Sequence, residues 1–189
     1  MDLLPFQPPP YARSGHIQTL WAYFQSSLPG YKFGLPGLLQ ETAVIRSQDD
    51  CGVRLVVHIH RIPESGAQAR LYPGSRYRVS GPRPVVVIVH GLEGDADSVY
   101  VIRLTEKLLR AGFHVARMNM RSCGPGKDLA ANAYNAGLTI DVESVCDYAR
   151  ERVSPRVALV GISLGANLTL KFLGETPEER NRQLDVLQP

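Results

Sequence analysis

The chain has 189 residues, 44% of them hydrophobic, which is enough for one globular domain with a real core. Its 21 basic and 18 acidic residues leave a net charge of +3 and form no basic run, so no nucleic-acid partner is implied. No apolar run approaches the roughly 18 residues needed to cross a bilayer, and residues 1–10 lack the basic and apolar regions of a secretion signal, so a cytoplasmic protein is expected.

Cys51, Cys123 and Cys146 are odd in number and lack ligand spacing, which suggests neither a disulfide framework nor a zinc site. No metal or cofactor is expected.

The opening stretch is rich in proline, glycine and aromatics with little periodicity, and residues 1–40 read as an arm lying over a domain at 41–189. Thr42–Arg46 and Val53–His60 flank the turn signal Asp49-Asp50-Cys51-Gly52 and read as a hairpin. His58 and His60 share one face of the second strand. Without a third ligand they read as ordinary strand residues. Residues 63–84 carry four arginines, glycines and prolines but no hydrophobic period, and read as a loop insertion.

From Pro84 the rhythm alternates between strand and helix. Val85–Val89 is a run of β-branched residues, as in a strand buried on both faces of a parallel sheet. Val101, Leu104, Leu108 and Ala111 mark one face of a helix that Gly112 ends. His114–Met118 is the next strand. Val142, Val145, Cys146, Ala149 and Val153 form a second helical stripe, and Arg156–Val160 returns as a strand. The alternation predicts an α/β fold, a mostly parallel sheet flanked by helices, with ligand sites at the carboxyl ends of the strands.

The last strand runs into Gly161-Ile162-Ser163-Leu164-Gly165 and then a helix, the setting of a G-x-S-x-G nucleophile elbow. The pattern alone is weak; its position between strand and helix strengthens it. Gly161 and Gly165 would let strand and helix approach, leaving Ser163 exposed at a helix N-terminus that favours developing negative charge. His90-Gly91-Leu92-Glu93-Gly94 follows the buried strand. That turn can aim the Leu92 N–H at the site, where with the Leu164 N–H it would make a two-donor oxyanion hole. His90 is expected to orient the turn rather than serve as the base. The histidines are His16, His58, His60, His90 and His114, and none follows Ser163.

Together with Asn119-Met120-Arg121-Ser122-Cys123-Gly124, Ala136-Gly137-Leu138-Thr139-Ile140-Asp141, the extended elbow Gly161–Asn167 and the early Ser14-Gly15-His16-Ile17-Gln18-Thr19, these motifs resemble the YheT-type branch of the α/β-hydrolases. The resemblance spans nearly the whole chain. It implies an α/β-hydrolase fold and a cofactor-free serine hydrolase acting on carboxylic esters, lipid-like esters included, through a Ser, Asp, His triad. By that resemblance Ser163 is the nucleophile and Leu92 and Leu164 supply the hole. The chain departs from the pattern twice. Tyr134-Asn135-Ala136-Gly137 stands where many relatives have a Tyr-His-Ser-Gly type motif. After Ser163 the only acids are Glu175, Glu178, Glu179 and Asp185, none of them a convincing triad partner. The domain therefore reads as truncated after the elbow helix, needing a partner or a further C-terminal part to complete the site. The alternatives are a catalytically inactive fragment, or a fold used for acyl transfer or ligand binding.

Overall fold

The computed structural model describes residues 7–8, 10–18, 20, 38–49, 52–63, 81–176 and 178–179; most of the expected arm and most of the 63–84 loop lie outside these. The chain divides into two units, Met1–Phe33 and Gly34–Pro189. In the first, a 3₁₀ turn at Pro10–Ala12 precedes a helical turn in which the Gln18 N–H donates to the Ser14 carbonyl at 3.0 Å.

The second unit holds the strands β1 (Leu39–Arg46), β2 (Arg54–Arg61), β3 (Val85–Val89), β4 (His114–Met118) and β5 (Val157–Gly161). Its helices are α1 (Val99–Arg110), α2 (Thr139–Arg152) and α3 (Leu164–Gly174). The sheet order is β1-β2-β4-β3-β5. β1 pairs antiparallel with β2, and β2 antiparallel with β4, whereas β3 lies parallel to both β4 and β5. Every strand but β2 thus runs the same way, the mixed and mostly parallel sheet that the alternation predicts.

All of β3 is buried, as its run of valines and isoleucine requires. Val85, Val87 and Val89 share a core with Val142, Val145, Cys146 and Ala149 of α2, so the second helical stripe faces the sheet as expected. Burying one such aliphatic side chain stabilises the fold by about 1.5–3 kcal/mol.

The α1 stripe needs correction. The buried row is Val101, Thr105 and Leu109 with Ile102, while Leu104 and Leu108 are only half-buried. Thr105 can sit on the buried face because it satisfies its own hydroxyl, donating to the Val101 carbonyl at 2.8 Å. Gly112 ends α1 as expected. At φ +92° it is followed by Phe113 N–H donating to Leu108 O at 3.0 Å, while its own N–H reaches Leu109 O at 2.9 Å, a Schellman motif.

Among the described residues β5 has only β3 beside it, and it is half-exposed. Leu170 and Leu173 of α3 are 71% and 67% exposed. Among the described residues no helix is long and apolar enough to cross a membrane.

Candidate active site

The register of β3, β4 and β5 brings their carboxyl ends level, with Val89 facing both Met118 and Gly161. The loops leaving these strands therefore meet at one edge. At that edge the backbone reverses sharply on Ser163, which has φ +55° and ψ −117°. A non-glycine residue held at positive φ carries about 1–3 kcal/mol of strain and persists only where its surroundings enforce it.

Here two glycines enforce it. A Cβ on Gly161 would overlap the Gly165 carbonyl; one on Gly165 would overlap the Val89 carbonyl and lie 2.5 Å from that of His90. Strand, elbow helix and preceding turn are in backbone contact, which only glycine permits. Ser163 is exposed, and its hydroxyl makes no capping hydrogen bond.

The turn after β3 lies against the elbow: a Cβ on Gly91 would sit 3.2 Å from the Ser163 Cβ. Its peptide planes are fixed one by one. The Gly91 N–H donates to the Tyr100 hydroxyl oxygen at 2.9 Å, and the Glu93 N–H to the Tyr134 hydroxyl oxygen at 3.0 Å. The Gly91 carbonyl accepts from His90 Nδ1–H at 2.8 Å and from the Gly94 N–H at 3.1 Å. Because a peptide is planar and trans, a carbonyl held by two donors directs the N–H of the same plane, that of Leu92, the opposite way. Among the described residues, no hydrogen bond engages the N–H of Leu92 or of Leu164.

His90 is hydrogen-bonded through both ring nitrogens. While Nδ1–H donates to Gly91 O, Nε2 accepts from the Met120 N–H at 3.1 Å. Burial pushes its pKa below the ordinary histidine value, so the ring stays neutral with both nitrogens committed. The other histidines of this unit lie elsewhere. His114 opens β4 at the opposite edge. His58 and His60 sit on β2, three strands from β5, or about 14 Å at the usual strand spacing. His60 Nε2 accepts from Arg117 Nε at 3.1 Å, and burial followed by that guanidinium holds it down at about 3. These are strand histidines, as their spacing suggested. Burial lifts the thiols of Cys123 and Cys146 to about 11 and about 12, so neither is poised as a nucleophile.

A family model described as the alpha/beta hydrolase fold matches residues 84–180, just over half of the chain. The chain belongs to the α/β hydrolase fold family. It is 28% identical over 172 residues to the embryogenesis-associated protein EMB8 of Picea glauca, covering 90% of this chain and 34% of that protein. It is 35% identical over 94 residues to the medium-chain fatty acid ethyl ester synthase/esterase 2 of Saccharomyces cerevisiae, covering 49% of this chain and 21% of that one. The Pyrococcus furiosus esterase Pf2001 superimposes with a TM-score of 0.55 at 19% identity, over 75% of this chain and 48% of that structure, a likeness of fold. This chain therefore spans well under half the length of these curated relatives.

Within the hydrolase fold, the remaining motif residues prove to be structural supports that spacing did not reveal. Arg121 is fully buried between two carboxylates. Its Nε reaches Asp141 Oδ2 at 2.7 Å, its Nη2 reaches Asp141 Oδ1 at 2.5 Å and Asp49 Oδ2 at 2.8 Å, and its Nη1 donates to Asn132 Oδ1 at 3.0 Å. Burial disfavours the cation, but the bonds and charges of Asp141 and Asp49 outweigh it and raise the guanidinium pKa. The cluster ties the β1–β2 turn, the loop after β4 and α2 together. Asn119 accepts from the Ala96 N–H at 2.9 Å and donates to Val56 O at 3.1 Å, and a Cβ on Gly124 would lie 2.7 Å from its Oδ1. Asn167 Nδ2, on α3, donates to Ala136 O at 3.0 Å. Sequence reasoning recorded the strings containing Asn119, Arg121, Asp141, Asn167 and Tyr134 but found no partner for any of them. Among the described residues no group of three potential ligands could hold a metal ion.

Proposed function

We propose that this chain carries the nucleophile and oxyanion hole of a serine hydrolase cleaving carboxylic esters through an acyl-enzyme on Ser163. One observation carries the reading: the two N–H groups left unengaged, on Leu92 and Leu164, belong to the two turns that meet at a strained and exposed serine. In the reaction Ser163 Oγ attacks the ester carbonyl carbon and gives its proton to a base. The carbonyl oxygen, now an oxyanion, accepts from Leu92 and Leu164. The alcohol then leaves with the proton, and water repeats the attack to release the acid. Each donor contributes about 3 kcal/mol of transition-state stabilisation. The positive end of the α3 dipole adds a favourable field.

The ester class is supported by the yeast relative, itself named a fatty acid ethyl ester synthase/esterase, and by the shared motifs of the YheT-type branch. His58, His60, His90 and His114 are held away from Ser163 or engaged, so none of these four is placed to serve as the base. The same observation favours the competing reading, a chain that hydrolyses nothing by itself.

The test is reaction of the purified chain with a fluorophosphonate probe, using Ser163→Ala as control. Labelling lost in the variant supports the assignment. Labelling that persists in Ser163→Ala, or none in the parent, sinks it for this chain.

A further inference from the structure

We infer that Tyr134 is a positioning residue that holds the oxyanion-hole turn at its working distance from the elbow, through a brace formed by the loop between Asn132 and Leu138. The inference rests on the Ser163 reading above. The brace touches both halves of the site. Its Tyr134 hydroxyl oxygen accepts from the Glu93 N–H at 3.0 Å, and its Ala136 carbonyl accepts from Asn167 Nδ2 on the elbow helix at 3.0 Å. Leu92 immediately precedes Glu93, and Leu164 opens the helix that carries Asn167. The separation of the two unengaged N–H groups is therefore spanned by one short loop.

The brace is itself anchored. Asn132 Oδ1 accepts from the buried Arg121 at 3.0 Å, and Asn132 O accepts from the Ser122 hydroxyl at 3.0 Å. Its tip is closed by the Gly137 N–H donating to Asn135 Oδ1 at 2.8 Å, and α2 begins directly after it. The Tyr134 ring packs against the hydrophobic core, so the hydroxyl is delivered from a fixed ring rather than from a loose side chain.

The hydroxyl matters because of what it holds. Glu93 sits at φ +57°, a conformation that its surroundings must enforce. The plane carrying the Leu92 N–H is held on its carbonyl side by His90 and Gly94. The next plane, carrying the Glu93 N–H, is held by Tyr134. Without the phenol oxygen that second plane is free to turn and carries the Leu92 N–H with it. The oxyanion is thereby weakened while the ester-binding surface is left in place. Tyr134 acts through its bond to the Glu93 N–H, so its effect is transmitted through this backbone.

The experiment compares the parent chain with Tyr134→Phe and Asn167→Ala, using Ser163→Ala as control. The readouts are fluorophosphonate inactivation kinetics, backbone amide exchange over residues 91–94 by mass spectrometry, and circular dichroism. Tyr134→Phe keeps the ring and removes only the acceptor. The expected result is a fall of about tenfold or more in the maximal inactivation rate, with the probe's inhibition constant within about twofold, because only the geometry of the hole is altered. Exchange over 91–94 should accelerate in the same variant. Asn167→Ala, which removes the other leg, should slow inactivation in the same way and covers the case in which Tyr134→Phe misfolds. Equal rates in the parent and in either folded variant, with Ser163→Ala unlabelled, would overturn the brace and leave the Ser163 reading intact. Unchanged amide exchange in Tyr134→Phe would also overturn it. If the parent is not labelled, the Ser163 reading fails first and the positioning role falls with it.

Discussion

Replacing Arg121 by methionine tests the most heavily charged feature of the interior. The guanidinium and the Asp49 side chain are 0% exposed, and Asp141 is 4% exposed. One cation therefore serves two buried carboxylates through contacts of 2.5 Å, 2.7 Å and 2.8 Å. Methionine fills most of the stem's volume but leaves both carboxylates buried without their cation. Breaking a buried pair in this way costs about 3–5 kcal/mol, against at most about 1 kcal/mol for a surface pair. Arg150–Asp147, with exposures of 53% and 42%, is the internal comparison: Arg150→Ala should change stability by less than about 1 kcal/mol. The assay is urea unfolding followed by circular dichroism for the parent, Arg121→Met, Asp141→Asn and the double variant. Asp141→Asn should be milder than Arg121→Met, since Asp49 still accompanies the cation. The cycle should show coupling of about 2 kcal/mol between the two positions. A loss below about 1 kcal/mol for Arg121→Met, or additivity within about 0.5 kcal/mol, would refute the network as a structural tie.

Gly165→Ala should destabilise the fold by about 1–3 kcal/mol or displace α3, because the new methyl group meets backbone that no rotamer change can relieve. Thermal unfolding of the variant checks this, and an unchanged melting curve would count against the backbone contact. His60 gives a pH dependence of defined sign. Its folded pKa is depressed from 6.5 to about 3, by burial first and then by Arg117 and His58. Between those values the unfolded chain binds a proton that the native ring refuses, so stability falls as pH drops through that window, by up to about 1.4 kcal/mol per pH unit. His60→Gln, which can still accept from Arg117, should flatten the urea-derived stability curve between pH 6.5 and 4.5; an unaltered slope would refute the assignment.

By itself the sequence determined what depends on neighbours in the chain. Val85–Val89 is β-branched throughout and became a wholly buried strand. The helical stripe of Val142, Val145, Cys146 and Ala149 became the buried face of α2, Gly112 ended α1, and Gly161 and Gly165 let strand and helix meet around an exposed serine. These features follow from periodicity, steric freedom and turn chemistry, which act over a few residues. Tertiary structure alone decided the rest. Which face α1 buries, and the order of β2 between β1 and β4, are written in no local pattern. Arg121 meets Asp141 twenty positions later, Tyr134 meets Glu93 forty-one positions earlier, and Arg117 meets His60 fifty-seven positions earlier. Such pairs carry no short-range signal, because burial makes a polar partner obligatory without specifying where in the chain it must lie. The sequence therefore singled out Ser163 and the turns that carry Leu92 and Leu164, whereas only the folded backbone decided that, among the described residues, these two N–H groups stay unengaged.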